Sequence, residues 1–427
     1  MIITCLFLLL LILLAIGAPV AVALGLASMI TIFVFGDESL QSVAIKLYAT
    51  ADHYTLLAIP FFLLAGAFMT TGGMARRLID FANATLGHVK GGLPISAIFA
   101  CVMFAALSGS SPATVAAVGS IVIAGMVRSG YSEQFATGVV CNAGTLGILI
   151  PPSIVLVVYG SATSTSVGNL FMAGVVPGVM LGLLLMVATY VIARIKDMPA
   201  MPRASVAEWW VAARRAAWGL LLGVIILGGI YLGFFTATEA AAVAAVYSAF
   251  VSLVVYRDIN LFRAPKVILD AARLSVALMF IIANAMLFAH VLTSEQIPQA
   301  ITQWAISLGL SPVGFLLIVN LLLLAAGSLM EPSAIILILA PILFPMAKQM
   351  GIDPVHLGII MVVNMEIGML TPPTGLNLFV ASTVTGQSLT QVIRACAPWL
   401  LLLLGFLAVI TYVPGISLAL PRALGMM

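Results

Sequence analysis

Charged side chains are scarce in this chain: they make up 7% of its 427 residues, whereas 63% of the residues are hydrophobic. Soluble domains carry about 25% charged residues, so this composition excludes both a soluble globular protein and a disordered one. Apolar runs of about 18–20 residues recur along the chain, which is typical of a helical membrane protein that crosses the bilayer many times. A transmembrane barrel would instead show alternating strands of about ten residues. The small net charge of +3, without a basic arm, predicts no nucleic-acid partner.

The sequence also lacks the motifs of common enzyme classes. Its four cysteines, Cys5, Cys101, Cys141 and Cys396, lie in apolar stretches without a CxxC pair, which indicates buried thiols rather than a disulfide framework or a metal site. HExxH is absent, and no GxxxxGK[ST] phosphate-binding loop occurs. We therefore predict neither an enzyme nor a resident cofactor. Any transport must draw its energy from an ion gradient or from a partner.

Turn and breaker residues recur in the same order in the two halves of the chain, at an offset of about 220 residues. Pro151-Pro152-Ser153 corresponds to Pro372-Pro373-Thr374, and Gly147 corresponds to Gly368. A single match could be a chance recurrence of glycine and proline, but an offset that holds along the chain indicates an internal repeat. We predict a first repeat at 1–193, a cytoplasmic linker at 194–216 and a second repeat at 217–427.

Each half also contains a polar break between two apolar segments, within 91–128 and 311–349. If both are re-entrant hairpins and the N-terminus is outside, every basic residue except Lys46, Lys348 and Arg422 lies inside, as the positive-inside rule requires. If the hairpins crossed the membrane, the excess of basic residues on the inside would disappear. We therefore predict an all-α polytopic membrane protein with about ten full transmembrane helices and two hairpins. An odd number of crossings per half makes the repeats inverted, as in secondary transporters.

The break in the first hairpin is Ser108-Gly109-Ser110-Ser111-Pro112. Non-helical backbone at membrane depth must line a cavity or bind a ligand, because unpaired backbone groups cannot face lipid. Ser111 and Pro112 are typical of an N-cap followed by proline at the first helical position, and a helix N-terminus attracts an anion. The carbonyl groups that end the preceding half-helix suit a small cation such as Na⁺. The alternative is a polar kink packed against neighbouring helices.

The break in the second hairpin, from Gly327 and Ser328 to Glu331-Pro332-Ser333, has the same pattern with a carboxylate added. An ionisable residue inside a membrane is a functional candidate by default. Three roles are therefore open to Glu331: coordinating a cation, carrying a proton, or only capping the helix that follows. Glu366 is embedded in the same way, and both a functional and a structural role are open for it.

Two further breaks are marked by double prolines. The polar segment 142–147 leads into Pro151-Pro152, and Asn364 precedes Thr371-Pro372-Pro373-Thr374. Because proline lacks a backbone donor and frees an upstream carbonyl, two in a row should unwind a membrane helix. The freed carbonyls, together with threonine and asparagine side chains, are oxygen ligands for a cation. The alternative is a pair of kinked structural helices.

Six motifs distributed along the chain carry a family resemblance. They are Ala58-Ile59-Pro60-Phe61-Phe62, Ser108–Thr114, Gly147–Ser153, Thr238–Ala242, Gly351–His356 and Pro372–Leu378. In combination they resemble the large membrane subunit of tripartite ATP-independent periplasmic (TRAP) transporters over essentially the whole chain. The motifs Met330-Glu331-Pro332-Ser333 and Asn364-Met365-Glu366 resemble the four-carbon dicarboxylate branch, DctM, more than the sialic-acid branch. Thr374 departs from the family, which usually has valine there.

The resemblance implies a Na⁺-coupled importer of an organic acid in the bacterial inner membrane, with a C4-dicarboxylate favoured over sialic acid. It implies two partners, a small four-helix membrane subunit and a periplasmic substrate-binding protein, and an elevator-type transport domain that moves both hairpins against a scaffold. It implies two Na⁺ sites: the ligands of the first are Ser108, Gly109, Ser110, Ser111, Gly144, Thr145 and Gly147, and those of the second are Gly327, Ser328, Glu331, Thr371 and Thr374. The expected substrate contacts are Ser110, Ser111, Pro112, Asn142, Pro332, Ser333 and Asn364.

Two alternatives belong to other functional classes. A gated channel would usually place its pore on an oligomeric axis lined by rings of like residues, which inverted repeats with unlike hairpins do not favour. An intramembrane enzyme would need a Ser/His or paired-Asp constellation at matching depth, and the sequence offers neither.

Overall fold

The computed structural model describes residues 2–35, 40–307 and 309–426, and within these ranges the chain is helical, with no β-strand. The first half contains α1 (Ile2–Ala15), α2 (Val20–Phe35), α3 (Leu40–Ala51), α4 (Ala58–Thr71), α5 (Met74–Leu86), α6 (Gly92–Ser108), α7 (Ser111–Arg128), α8 (Glu133–Ala143), α9 (Ile154–Thr163) and α10 (Val167–Ile195). The second half contains α11 (Val206–Tyr231), α12 (Ala237–Phe250), α13 (Ala264–Ser294), α14 (Ile297–Ser307), α15 (Pro312–Gly327), α16 (Pro332–Gln349), α17 (Pro354–Gly368), α18 (Leu376–Thr385), α19 (Leu389–Tyr412) and α20 (Pro414–Ala423). Short 3₁₀ helices occur at Tyr54–Leu57 and Gly144–Ile148, and a π-helical turn at Val251–Val255.

The helix lengths confirm an all-α protein built to cross a membrane. In the described part of the chain, eight helices are long and apolar enough to do so. These eight include one helix of each predicted hairpin, α7 and α16, so six of the roughly ten predicted crossings are among them, and two features account for the other four. Helices α1 and α2 have only 14 and 16 residues, whereas a perpendicular crossing takes about 20. Two other predicted crossings are each divided at a double proline, into α8 and α9 and into α17 and α18. The inverted orientation of the two repeats stays a prediction.

The predicted hairpins correspond to two pairs of consecutive helices. Helices α6 and α7 are joined by two residues and pack against each other, as do α15 and α16 across a four-residue connection. Their bounds fall within the predicted segments 91–128 and 311–349. Both double-proline peptide bonds, Pro151-Pro152 and Pro372-Pro373, are cis. Re-entrance of the hairpins into the membrane stays a prediction.

The interrupted helices α9 and α17 lie in the protein interior. Every residue of α17 from Val355 to Gly368 is buried, so the helix has no lipid-facing side. The 3₁₀ helix Gly144–Ile148 is likewise buried throughout. Helix α11, by contrast, leaves Val224 66% exposed on an apolar face suited to lipid or to another subunit. The first double-proline break is therefore surrounded by protein, where non-helical backbone can be satisfied, whereas Pro372 and Pro373 of the second are exposed.

The linker predicted at 194–216 is partly helical, because α11 begins within it. Ser205 and Glu208 form a capping box, in which each side chain accepts a hydrogen bond from the backbone N–H of the other. Trp209, in the first turn, donates from its indole nitrogen to the hydroxyl of Thr85 on α5 at 3.1 Å. The start of this helix is fixed by its cap and by packing on α5, and not by the start of the apolar run. The bounds of the two repeats and of the linker stay a prediction.

Candidate functional site

The first hairpin turns at Gly109, between Ser108 at the end of α6 and Ser111 at the start of α7. Gly109 has a φ of +63°, a conformation that glycine adopts without strain. A Cβ atom at this position would lie 2.8 Å from the carbonyl oxygen of Pro152, so a side chain has no room. The Gly109 carbonyl accepts a hydrogen bond from the N–H of Ile154 at 3.4 Å. The tip is therefore attached, backbone to backbone, to the first double-proline segment.

Hydroxyl groups at this tip form a compact network. The hydroxyls of Ser108 and Thr114 are 3.0 Å apart, and Thr114 donates to the carbonyl of Ser110 at 2.9 Å. Ser111 was predicted as the N-cap of α7, but Ser110 occupies that position and forms no side-chain capping bond. The prediction was wrong by one residue because helical geometry already begins at Ser111, which makes Pro112 the second helical residue. The partly exposed Ser110 hydroxyl is left available for a ligand.

The 3₁₀ helix Gly144–Ile148 packs directly against this tip. A Cβ atom at Gly147 would lie 2.7 Å from the carbonyl oxygen of Ser110, and one at Gly144 would lie 2.2 Å from a methyl group of Val115. Glycine at both positions permits this close approach. The structure therefore brings together the two segments that the resemblance combines into one Na⁺ site, although their role as ligands stays a prediction.

Asn142 and Thr145 are fully buried at the same break. The Asn142 amide nitrogen donates to the carbonyl of Gly138 at 2.8 Å, and the Thr145 hydroxyl donates to the carbonyl of Asn142 at 2.8 Å. The hydroxyl donor of Thr145 and one of the two amide donors of Asn142 are thus used within the local helix. The side-chain oxygen of Asn142 has no hydrogen-bond partner among the described residues.

The second hairpin makes corresponding contacts with the second double-proline segment. A Cβ atom at Gly368 would lie 2.7 Å from the Cα and the carbonyl oxygen of Gly327. The Ser328 carbonyl accepts two hydrogen bonds from Thr374, one from its N–H at 3.0 Å and one from its hydroxyl at 2.7 Å. The Thr371 hydroxyl donates within its own turn at 2.7 Å. The structure therefore also joins the two segments of the second predicted Na⁺ site.

Glu331 caps α16, which is one of the three roles open to it. One carboxylate oxygen accepts the backbone N–H of Ala334 at 3.2 Å, and the other accepts the hydroxyl of Ser333 at 2.9 Å. Pro332 occupies the first helical position, as predicted. Because each carboxylate oxygen has more than one lone pair, capping leaves room for a cation as a further partner.

Asn364 belongs to a buried polar chain that links three helices. Its amide nitrogen donates to the side-chain oxygen of Asn320 on α15 at 2.8 Å, and Asn320 donates to the hydroxyl of Thr411 on α19 at 2.9 Å. Only the side-chain oxygen of Asn364 is then available to contact a substrate. Sequence reasoning missed Asn320 and Thr411. The available signal was an isolated asparagine in the leucine-rich segment of α15.

Asn377 is a third residue that sequence reasoning missed, and it connects the two halves of the chain. Its amide nitrogen donates to the Ser111 hydroxyl at 2.7 Å, and its backbone carbonyl accepts a contact from the thiol of Cys141 at 3.5 Å. Asn377 is fully buried at the start of α18. The first hairpin is thereby attached to the segment that follows the second double proline. Spacing alone could not pair residues 266 positions apart.

Unpartnered oxygen atoms concentrate around the double-proline segments. The side-chain oxygens of Asn142, Asn364 and Asn377 and both carboxylate oxygens of Glu366 are buried without a hydrogen-bond partner in the described ranges. The amide oxygens are acceptors, as are the oxygens of an ionised carboxylate, and a donor or a cation satisfies them. Among the described residues no group of three His, Cys, Asp or Glu side chains converges. Hydroxyl, amide and carbonyl oxygens without such a cluster fit a hard cation such as Na⁺.

A charged cavity of about 670 Å³ lies between α5, α7 and α11. It is lined by Arg76, Arg77 and Arg215 and by the carboxylates of Asp80 and Asp258, with α7 of the first hairpin as one wall. Arg77 forms a salt bridge with Asp258 at 2.5 Å. Burial raises the pKa of Asp80, and the neighbouring arginines counteract this only in part. The cavity offers a basic surface beside the first hairpin.

Comparison with known proteins identifies the family. The model of the DctM component of tripartite ATP-independent periplasmic transporters matches residues 7–416. A C4-dicarboxylate TRAP transporter large permease protein, DctM, from Pseudomonas aeruginosa is 70% identical over 404 residues, 95% of each chain. A sialic acid TRAP transporter large permease protein from Vibrio cholerae is 35% identical over 406 residues, again 95% of each chain.

A solved structure supports the fold independently of sequence. The YdaH transporter of Alcanivorax borkumensis aligns with a TM-score of 0.63 at 15% identity, over 88% of this chain and 87% of the other. Such low identity shows the fold alone. The helical membrane architecture and the family match place this chain in the bacterial inner membrane as a multi-pass protein. The chain belongs to the DctM family, the large permease subunits of TRAP transporters.

Proposed function

We propose that this chain is the large permease subunit of a Na⁺-coupled TRAP importer for C4-dicarboxylates. The observation that carries the proposal is the attachment of each hairpin tip to a double-proline segment, at Gly109–Pro152 and at Ser328–Thr374. The first junction presents hydroxyl and carbonyl oxygens in the protein interior, and the second, at Ser328 and Thr374, presents them at a partly exposed position. The 70% identity to a C4-dicarboxylate permease, against 35% to a sialic acid permease, favours the dicarboxylate as substrate.

Two Na⁺ sites belong to this proposal, one at each junction. Both sites use neutral oxygens, and only the second adds a carboxylate, so each bound ion contributes positive charge near the tips. The ligands of the first site are Ser108, Gly109, Ser110, Ser111, Gly144, Thr145 and Gly147. The ligands of the second site are Gly327, Ser328, Glu331, Thr371 and Thr374.

The substrate is proposed to bind between the tips. Neither tip carries an arginine or a lysine, so two carboxylate groups must be held by hydroxyls, helix N-termini and bound Na⁺. This arrangement makes dicarboxylate affinity depend on Na⁺, because the ions supply the charge that the side chains lack. The proposed contacts are Ser110, Ser111, Pro112, Asn142, Pro332, Ser333 and Asn364.

Alternating access is proposed to follow an elevator mechanism, in which both hairpins move together. The bond between Asn377 and Ser111 supports common movement, because it attaches the first hairpin to the segment beyond the second double proline. A small membrane subunit and a periplasmic substrate-binding protein complete the proposed assembly. The basic cavity at Arg76 and Arg215 suits a dianion that leaves towards the cytoplasm.

Reconstitution tests this function directly. The permease, its small subunit and its binding protein are assembled in liposomes, and uptake of labelled C4-dicarboxylate is measured with and without an inward Na⁺ gradient. We expect uptake only with all three proteins and only with the gradient. Excess unlabelled sialic acid serves as the substrate control and should not compete. Uptake without a gradient, or through the permease as a passive conductance, would overturn the proposal.

A further inference from the structure

A cavity of about 380 Å³ lies away from the hairpin tips, between α8, α10 and α19. Its cationic lining is Lys196, directly after α10, and Arg394, in the second turn of α19. Its apolar lining includes Ile192 of α10 and Trp399 and Leu402 of α19. None of these residues belongs to the proposed substrate or Na⁺ sites.

The residues that line the cavity change from charged to apolar along both α10 and α19. On α10 the cavity lining extends from Ala188 to Lys196, just beyond the C-terminal end of the helix. On α19 it extends from Arg394, near the N-terminal end, to Leu402. Each span is eight residues, or about 12 Å at the helical rise of about 1.5 Å per residue. Charge therefore lies at one end of an apolar groove that is shorter than the hydrocarbon depth of a single leaflet, about 15 Å.

The two cations are not neutralised by the chain. Lys196 and Arg394 are exposed, and neither forms an ion pair or a side-chain hydrogen bond with another described residue. Asp197, the acid next to Lys196, is already paired with Lys90 at 2.5 Å. Glu133 is an exposed acid in the first turn of α8, but it does not line the cavity.

Further donors face the same cavity. Ser132 and Gln134 belong to the N-terminal turn of α8, where free backbone N–H groups favour an anion. The indole N–H of Trp399 has no hydrogen-bond partner among the described residues. The Trp399 side chain is 5% exposed, and its ring packs near that of Phe135 at a centroid distance of 6.1 Å.

We propose that this cavity binds an acidic phospholipid. The phosphate lies between Lys196 and Arg394, and one acyl chain lies along Ile192, Trp399 and Leu402. A free phosphate or dicarboxylate would use the charged end only, whereas the apolar groove below it matches a lipid chain. Basic pockets between membrane helices on the cytoplasmic side recognise anionic headgroups in this way. The proposal is independent of the transported substrate.

The test compares lipids of equal chain length with different headgroups. The full chain is purified in detergent and titrated with phosphatidylglycerol or phosphatidylcholine, and binding is followed by native mass spectrometry and by thermal unfolding. Phosphatidylglycerol should bind and raise the unfolding midpoint, and phosphatidylcholine should do neither. Lys196→Gln with Arg394→Gln should weaken phosphatidylglycerol binding roughly thirtyfold, which corresponds to about 1 kcal/mol for each cation. The control pair Arg214→Gln with Arg263→Gln removes the same charge elsewhere and should leave binding unchanged.

A second measurement reports on the apolar groove. Phosphatidylglycerol with brominated acyl chains should quench a fluorescence component that Trp399→Phe removes, and the double glutamine variant should lose this quenching. Soluble glycerol phosphate should not compete with the lipid. Equal binding of both lipids, equal loss in the control pair, or competition by glycerol phosphate would overturn the proposal. So would cross-linking of a cysteine at Leu402 to a second protein subunit in the native membrane.

Discussion

The close approach of Gly368 to Gly327 gives the sharpest prediction. The Gly368→Ala variant would place a methyl group 2.7 Å from backbone atoms of Gly327, whereas ordinary van der Waals contact begins at 3.4 Å. The end of α15 and the end of α17 must then separate by about 0.7 Å to restore ordinary contact. Backbone cannot rotate away as a side chain does, so we expect an overpacking cost of about 1–3 kcal/mol.

A matched control isolates this cost from helix propensity. Gly405 on α19 is exposed and has nothing within 4 Å of a built Cβ, so Gly405→Ala should gain about 1 kcal/mol of helix stability. The two variants should therefore differ in their apparent thermal unfolding midpoints, with Gly368→Ala the lower. The same displacement acts on the paired bonds from Thr374 to Ser328, so Gly368→Ala should also lower dicarboxylate uptake at equal protein abundance.

The measurement is thermal unfolding in detergent, paired with uptake in liposomes, for wild type and both variants. If Gly368→Ala and Gly405→Ala unfold at the same temperature and transport equally, the hairpin does not rest on α17 as described. Gly147→Ala provides the same test at the first hairpin, because its Cβ atom would lie 2.7 Å from the Ser110 carbonyl oxygen.

Three further predictions concern the polar side chains. Ser110→Ala combined with Ser111→Ala should raise the Na⁺ concentration needed for half-maximal uptake, whereas Ser120→Ala on α7 should not; unchanged Na⁺ dependence would remove these serines from the site. Glu331→Gln should weaken uptake at low Na⁺ more than at high Na⁺, and a loss independent of Na⁺ would leave the residue as a cap only. Glu366→Met should raise the free energy of unfolding by about 1–3 kcal/mol, because it removes two buried oxygens without a partner. A less stable variant, in thermal unfolding with and without Na⁺, would show that this carboxyl has a partner such as a bound cation.

The sequence predicted the positions of the four breaks because their causes are local. Proline lacks a donor wherever it stands, and glycine tolerates the turn at Gly109 irrespective of its surroundings. Charge scarcity predicted a polytopic membrane protein for an equally general reason, since the bilayer excludes ions. The start of α11, inside the predicted linker, is fixed by a cap formed by Ser205 and Glu208 rather than by hydropathy, so hydropathy alone did not indicate it.

The sequence could not show which distant residues form hydrogen bonds with the residues at those breaks. The bond from Asn377 to Ser111 joins residues 266 positions apart, and the chain from Asn364 through Asn320 to Thr411 joins three helices. Sequence pattern reports what a residue requires, such as a donor, an acceptor or a turn. Only tertiary packing decides which distant atom meets that requirement, because the choice depends on how closely two helices approach and on which oxygens burial leaves without water.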